Sequence, residues 1–247
     1  MNLHKLLLTQ NACYLAGQTI VPKGIMVHST GCNNPWLRRY VGPDDGLLGV
    51  NVNSNHWNTY HPDGRAVCVH GFIGKLADGT IATYQTLPWN YRGWHAGGAA
   101  NNTHISFEIC EDGLTDSTYF KKVYLESVQL CAYLCKAYGL TERDIICHSE
   151  GYAQGIASNH GDVMHWFPKH GKSMDTFRAD VKALLEADTL SETDSLPSEW
   201  AKEGVEWAVA EGLMAGGTNG DLMLRSPITR EQFSVMLKRY HDKFHTA

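Results

Sequence analysis

Two histidines, His28 and His148, each close a short apolar run, Gly24-Ile25-Met26-Val27-His28 and Asp144-Ile145-Ile146-Cys147-His148. Such runs read as buried strands, and a strand end is where a rigid sheet presents side chains to a shared cleft. The chain carries 13 histidines, so a pair placed by pattern needs a third partner before it points to a metal. Residues 155–167, GIASNHGDVMHWF, offer Asp162, which follows a glycine-containing loop and precedes an apolar turn able to fix its backbone; His160 is the rival third ligand. Two imidazoles and a carboxylate suit zinc and leave a fourth tetrahedral position for water. That chemistry fits hydrolysis of an amide, with Glu108 as the group that could take the proton.

The elements that must position these groups are legible nearby. Residues 104–110 alternate, placing Ile105, Phe107 and Ile109 on one face and His104, Ser106, Glu108 and Cys110 on the other, so Glu108 points away from the apolar face. Residues 66–84 read as a hairpin about the turn Asp78-Gly79. Phe120, Val123, Tyr124, Val128, Cys131 and Cys135 recur at helical spacing, with Gly139 as the cap. Ser173 opens another helix carrying Phe177, Val181, Leu184 and Leu185. The irregular mixture predicts an α/β fold: a mixed central β-sheet flanked by helices, plus a small C-terminal all-α module.

Bulk properties narrow the class. With 43% hydrophobic and 19% charged residues among 247, the chain can bury a sizeable core. A net charge of -5 gives no basic footprint for nucleic acid. No run is long enough for a membrane span, and Leu6-Leu7-Leu8 passes directly into Thr9-Gln10-Asn11, so no export signal shows. Seven cysteines, Cys13, Cys32, Cys68, Cys110, Cys131, Cys135 and Cys147, form an odd set without framework spacing, the usage of a reducing compartment; most read as buried thiols.

Four segments in order, MVHSTG (26–31), GWHAGG (93–98), NNTHISFEIC (101–110) and CHSEGYAQGIASNHGDVMHWF (147–167), resemble the zinc amidases of the type-2 N-acetylmuramoyl-L-alanine amidase family, which includes phage endolysins, recycling amidases and peptidoglycan recognition proteins. The resemblance covers roughly residues 10–186. It implies zinc ligands at His28, His148 and Asp162, an acid/base at Glu108, and bacterial peptidoglycan as substrate, cut between N-acetylmuramic acid and L-alanine. Where several members carry a lysine that steadies the oxyanion, this chain has His160, which can still donate a hydrogen bond but holds no permanent charge. Trp94, His95 and Trp57 are expected to wall the cleft for sugar or stem peptide. A wall substrate without a visible export signal implies an endolysin-like enzyme made in the host cytoplasm and acting at the cell wall.

The chain is expected to divide into a catalytic domain at 1–187, an acidic linker at 188–198 and a helical module at 199–247. The module reads as two helices about a glycine-rich turn; Thr229 and Gln232 fit a capping box, and Phe233, Met236, Leu237 and Tyr240 share one face. Its pattern, with Trp200, Val205 and Trp207 followed by ITREQF, resembles one S-layer-homology repeat, which implies wall attachment; the alternative is a structural helical hairpin that forms a homodimer. Two other readings compete: a non-catalytic peptidoglycan-binding protein of the same fold, and a cysteine peptidase using Cys147 or Cys32. The first would be expected to lack the third ligand or Glu108. Against the second, Cys147 and His148 are strand neighbours and point to opposite faces.

Overall fold

Ile105, Phe107 and Ile109 are completely buried, and so are Met26 and Val27, which are consecutive and therefore lie on opposite faces of their strand. A strand buried on both sides belongs in the middle of a covered sheet. The computed structural model, which describes residues 1–194, 196–217 and 220–245, shows that sheet. Its strands are β1 (Leu3–Lys5), β2 (Gly24–Asn33), β3 (Gly71–Lys75), β4 (Ile81–Gln85), β5 (His104–Glu111) and β6 (Ile145–Cys147). They lie in the order β1-β4-β3-β5-β2-β6. The β3–β4 hairpin is antiparallel and every other pairing is parallel, so the expected mixed sheet is present.

The helices are α1 (Ala12–Ala16), α2 (Ser117–Tyr138), α3 (His148–Ala153), α4 (Met174–Asp194), α5 (Lys202–Ala210) and α6 (Arg230–His245). Helix α2 starts where the Asp116 carboxylate accepts from the N–H groups of Thr118 and Tyr119, and it stops at Gly139, whose φ of 64° is left-handed. The apolar stripe anticipated from spacing, Phe120 to Cys135, is its buried face.

Three local expectations change. The turn-like Ser29-Thr30-Gly31 does not end β2 after His28; β5 keeps pairing with it, at Ser29↔Ile109 and again at Asn33↔Glu111, with a register irregularity between. His28 therefore sits within a strand. The hairpin's first strand begins only at Gly71, because Cys68 exchanges backbone hydrogen bonds with Trp94 instead. The expected linker begins as helix, since α4 runs to Asp194; residues 188–194 contain neither glycine nor proline to break it. Position 195 of that linker lies outside the described residues.

The chain divides into two compact units, Met1–Lys182 and Ala183–Ala247. The first holds the sheet and its core. In the second, the Thr229–Gln232 capping box forms as expected, Gln232 N–H donating to Thr229 Oγ1 at 3.1 Å and Thr229 N–H to Gln232 Oε1 at 2.8 Å. Neither α5 nor α6 contains a buried residue. All seven cysteines are free, and only Cys32 is exposed.

Candidate active site

Strand β2 carries His28, strand β6 hands directly into α3 at His148, and the loop after α3 brings back Asp162. That loop is pinned on both sides of the aspartate: Ser149 N–H donates to the Asp162 carbonyl at 3.2 Å, while Val163, Trp166 and Phe167 are buried, with Trp166 and Phe167 packing against Phe120. The three side chains meet. His28 Nδ1 lies 3.0 Å from Asp162 Oδ2 and 3.1 Å from His148 Nδ1, and His148 Nδ1 lies 3.6 Å from Asp162 Oδ1. A tetrahedral zinc with bonds of about 2.0–2.1 Å spaces its ligand atoms roughly 3.3 Å apart, so these separations fit such an ion.

The electrostatics agree. Burial alone would raise the Asp162 carboxyl, but hydrogen bonds and charge from His148 and His28 outweigh it and hold the group well below the usual carboxylate range. Burial pushes the His28 ring downward against the pull of Asp162, and the charges of His148 and His160 add to that push. Two ring nitrogens and a carboxylate this close need a cation or proton among them, and the buried His28 resists the proton. Among the described residues these three form the grouping able to hold a metal ion.

Around them stand groups that hold the rings. His28 Nε2 contacts His95 Nδ1 at 3.0 Å, so His95 is placed against the candidate ligand, with its own Nε2 buried and without a partner. The backbone carrying His95 is fixed by buried Asn101, whose Oδ1 accepts from the N–H groups of His95 and Ala96 at 2.9 and 2.8 Å. His148 Nε2 meets Ser158 Oγ at 3.3 Å, and Ser158 Oγ also meets His160 Nδ1 at 3.1 Å. The exposed His160 ring lies 4.6 Å from that of His148, centroid to centroid. Remote-nitrogen partners of this kind set tautomer and orientation in metal sites. Sequence reasoning missed Ser158 and Asn101; both lie inside the quoted segments, with no periodicity to single them out.

Glu108 pairs with His28 in the parallel β2–β5 register, which puts both on one face of the sheet. Its Oε2 is buried without a hydrogen-bond partner. Burial, then the carboxylates of Asp162 and Glu111, push it well above the ordinary carboxyl value. Glu111, also buried, accepts from Gly31 N–H at 3.1 Å and pairs with His165 Nε2 at 2.9 Å.

The expected cleft aromatics separate. Trp94 is 48% exposed beside Arg92. Trp57 stands edge-on to Tyr40 and Phe72 and packs against the core cluster around them. The Cys147 thiol is buried and burial pushes it up, opposite to what a nucleophile needs.

A family model described as N-acetylmuramoyl-L-alanine amidase matches residues 18–165. Among solved structures, the chain is similar to PlyL, with 21% identity over 74% of this chain and 98% of that one at a TM-score of 0.53. It is similar to the Staphylococcus aureus hydrolase AmiA, with 19% identity over 76% and 84% at 0.54. The catalytic domain of XlyA matches with 22% identity over 73% and 99% at 0.50. At these identities the likenesses establish the fold. Among curated proteins, none matches the chain.

Proposed function

Because the chain belongs to the N-acetylmuramoyl-L-alanine amidase family, we propose that it hydrolyses the amide joining N-acetylmuramic acid to the L-alanine of the stem peptide in bacterial peptidoglycan, with zinc held by His28, His148 and Asp162. The observation that carries this reading is the meeting of those three side chains on the face where Glu108 stands in register with His28. Zinc bound there supplies Lewis-acid polarisation of the scissile carbonyl and acidifies water enough for attack near neutral pH.

The chain's own residues do the rest. His95 and Ser158 hold the remote nitrogens of the two rings, so that His28 and His148 would offer Nδ1 to a zinc ion bound there. Glu108 accepts the proton of the attacking water and returns it to the leaving amine of L-alanine. His160, on the exposed side of His148, donates to the oxygen of the tetrahedral intermediate. Trp94 offers an open aromatic face to sugar or peptide. An endolysin-like role follows from the wall substrate, and attachment there through residues 199–247 rests on the S-layer-homology-like pattern; a homodimer through the same residues is the competing use.

Digestion of purified peptidoglycan followed by mass spectrometry tests the reading. Free muramoyl lactyl carboxylates and new L-alanine N-termini should appear, vanish with a chelator and return with zinc. Cleavage at another bond, or indifference to chelation, would overturn it.

A further inference from the structure

We infer that Arg178, carried by α4 beyond the residues that the family model matches, is a positioning residue for the zinc site: its guanidinium clamps the β6–α3 junction on both sides of His148. The inference rests on the reading of His148 and Asp162 as zinc ligands.

His148 stands on little local structure. Strand β6 has three residues and lies at the edge of the sheet, so only one side of its backbone has a strand to bond to, and α3 has six residues. Elements this short carry few hydrogen bonds of their own. Arg178 supplies others. Its Nη1 donates to the Ile145 carbonyl at 3.1 Å, before His148 in the chain, and to Glu150 Oε2 at 3.0 Å, after it, while Nη2 donates to Glu150 Oε1 at 3.0 Å. Glu150 Oε2 in turn accepts from Cys147 N–H at 3.0 Å, so guanidinium, carboxylate and backbone form one closed ring at the start of α3. Two parallel bonds between planar groups fix direction as well as distance.

Arg178 is itself held. Phe177 beside it and Val181 further along α4 are fully buried, Asp175 Oδ1 accepts from Arg178 Nη2 at 2.6 Å, and α4 is tied to α2 where Asp180 Oδ2 accepts from Tyr124 OH at 2.7 Å. The clamp bears on two ligands at once, because Ser149 N–H, next to His148, holds the Asp162 carbonyl at 3.2 Å. A lysine at 178 would be a point charge, unable to bridge the carbonyl and both carboxylate oxygens.

The test uses the full chain and zinc alone, with affinity read by competition against a chromogenic chelator. Arg178→Lys and Glu150→Gln should each weaken zinc binding about ten-fold, the usual cost of a lost partner behind a metal ligand, and the double variant should cost no more than the larger single one. Turnover on muropeptides should fall with zinc occupancy and return in excess zinc. Lys172→Met is the control for general loosening of α4: it breaks the 2.8 Å pair with Asp180 without touching the fork, and should leave zinc affinity unchanged. Native affinity in both Arg178→Lys and Glu150→Gln, or an equal loss in Lys172→Met, would overturn the inference. A native chain that binds no zinc would overturn the zinc reading, and the inference with it. Should Arg178→Lys not fold, Glu150→Gln, which keeps the size of the side chain and one acceptor oxygen, still decides.

Discussion

The two units of the chain treat their large apolar residues in opposite ways. In Met1–Lys182, Phe72, Phe107, Trp166, Phe167 and Phe177 are fully buried, and the polar cluster His28, His148, Asp162 and Glu108 is mounted on that packing. In Ala183–Ala247, Trp200 is 90% exposed, Trp207, Phe233, Leu237, Tyr240 and Phe244 are all exposed, and Leu213 is the large apolar residue that is buried among those described. Burying a histidine and a carboxylate costs several kcal/mol unless they pair, and only a unit with surplus core can carry that cost. A unit of this size with so little buried apolar surface is marginal alone. Chemistry has been placed where rigidity is available, and the remaining apolar surface where contact with something else could use it.

The sharpest test of that contrast is to break the site. His28→Ala or Asp162→Ala should lose zinc, measured by metal analysis, and reduce turnover to background, whereas Phe233→Ser with Leu237→Ser should leave metal and turnover on soluble muropeptides intact. Loss of metal in the double C-terminal variant would merge the two regions into one functional body. Next, Glu108→Gln should retain zinc while kcat falls by about 10²–10⁴, the usual worth of a general acid/base.

Stability should divide along the same line. Phe107→Ala is expected to cost about 3–5 kcal/mol in denaturant unfolding, and Phe233→Ala no more than about 0.5 kcal/mol. Comparable costs would mean that the second unit has its own hidden core. His70 gives a pH-dependent version. Burial pushes its ring down to about 4, while Nε2–H donates to the Tyr91 carbonyl and Nδ1 accepts from Ser106 N–H. The unfolded chain takes up this proton near pH 6.5 and the folded chain only near 4, so the unfolded state binds more protons in between. Stability from this residue is complete above about pH 6.5 and drains as pH falls toward 4, by about 3 kcal/mol. His70→Gln should flatten that loss when unfolding is followed at pH 7 and pH 4.5. Smallest of all, the C-terminal double variant should weaken sedimentation with cell walls a few-fold; unchanged sedimentation would count against wall attachment.

Much of the sheet and α2 was legible, because strand alternation and helical spacing are local and the burial that enforces them is what the structure shows. The residues of the candidate cluster were named too, within resembling segments and with His160 as rival to Asp162, but His28 lies inside its strand rather than at its end. What local pattern misled was continuity: Ser-Thr-Gly looked like a break in β2, but a paired neighbour carries a strand through a turn-like triplet. Acidity likewise looked like a linker at 188–194, although charge alone does not stop a helix. Residue type could not separate Trp94 from Trp57, since an aromatic ring suits a cleft wall and a core equally.

By itself the amino-acid order named side chains whose chemistry suits a metal, His28 and His148 with Asp162 or His160 as the third, and the short apolar runs that carry the two histidines, because such runs depend on neighbours a few positions apart. Only the folded chain decided that His95 backs His28, that Ser158 joins His148 to His160, and that Trp57 packs against the core. Those relations join loops distant in the chain, and the packing and hydrogen bonding that bring such loops together leave no period in the sequence.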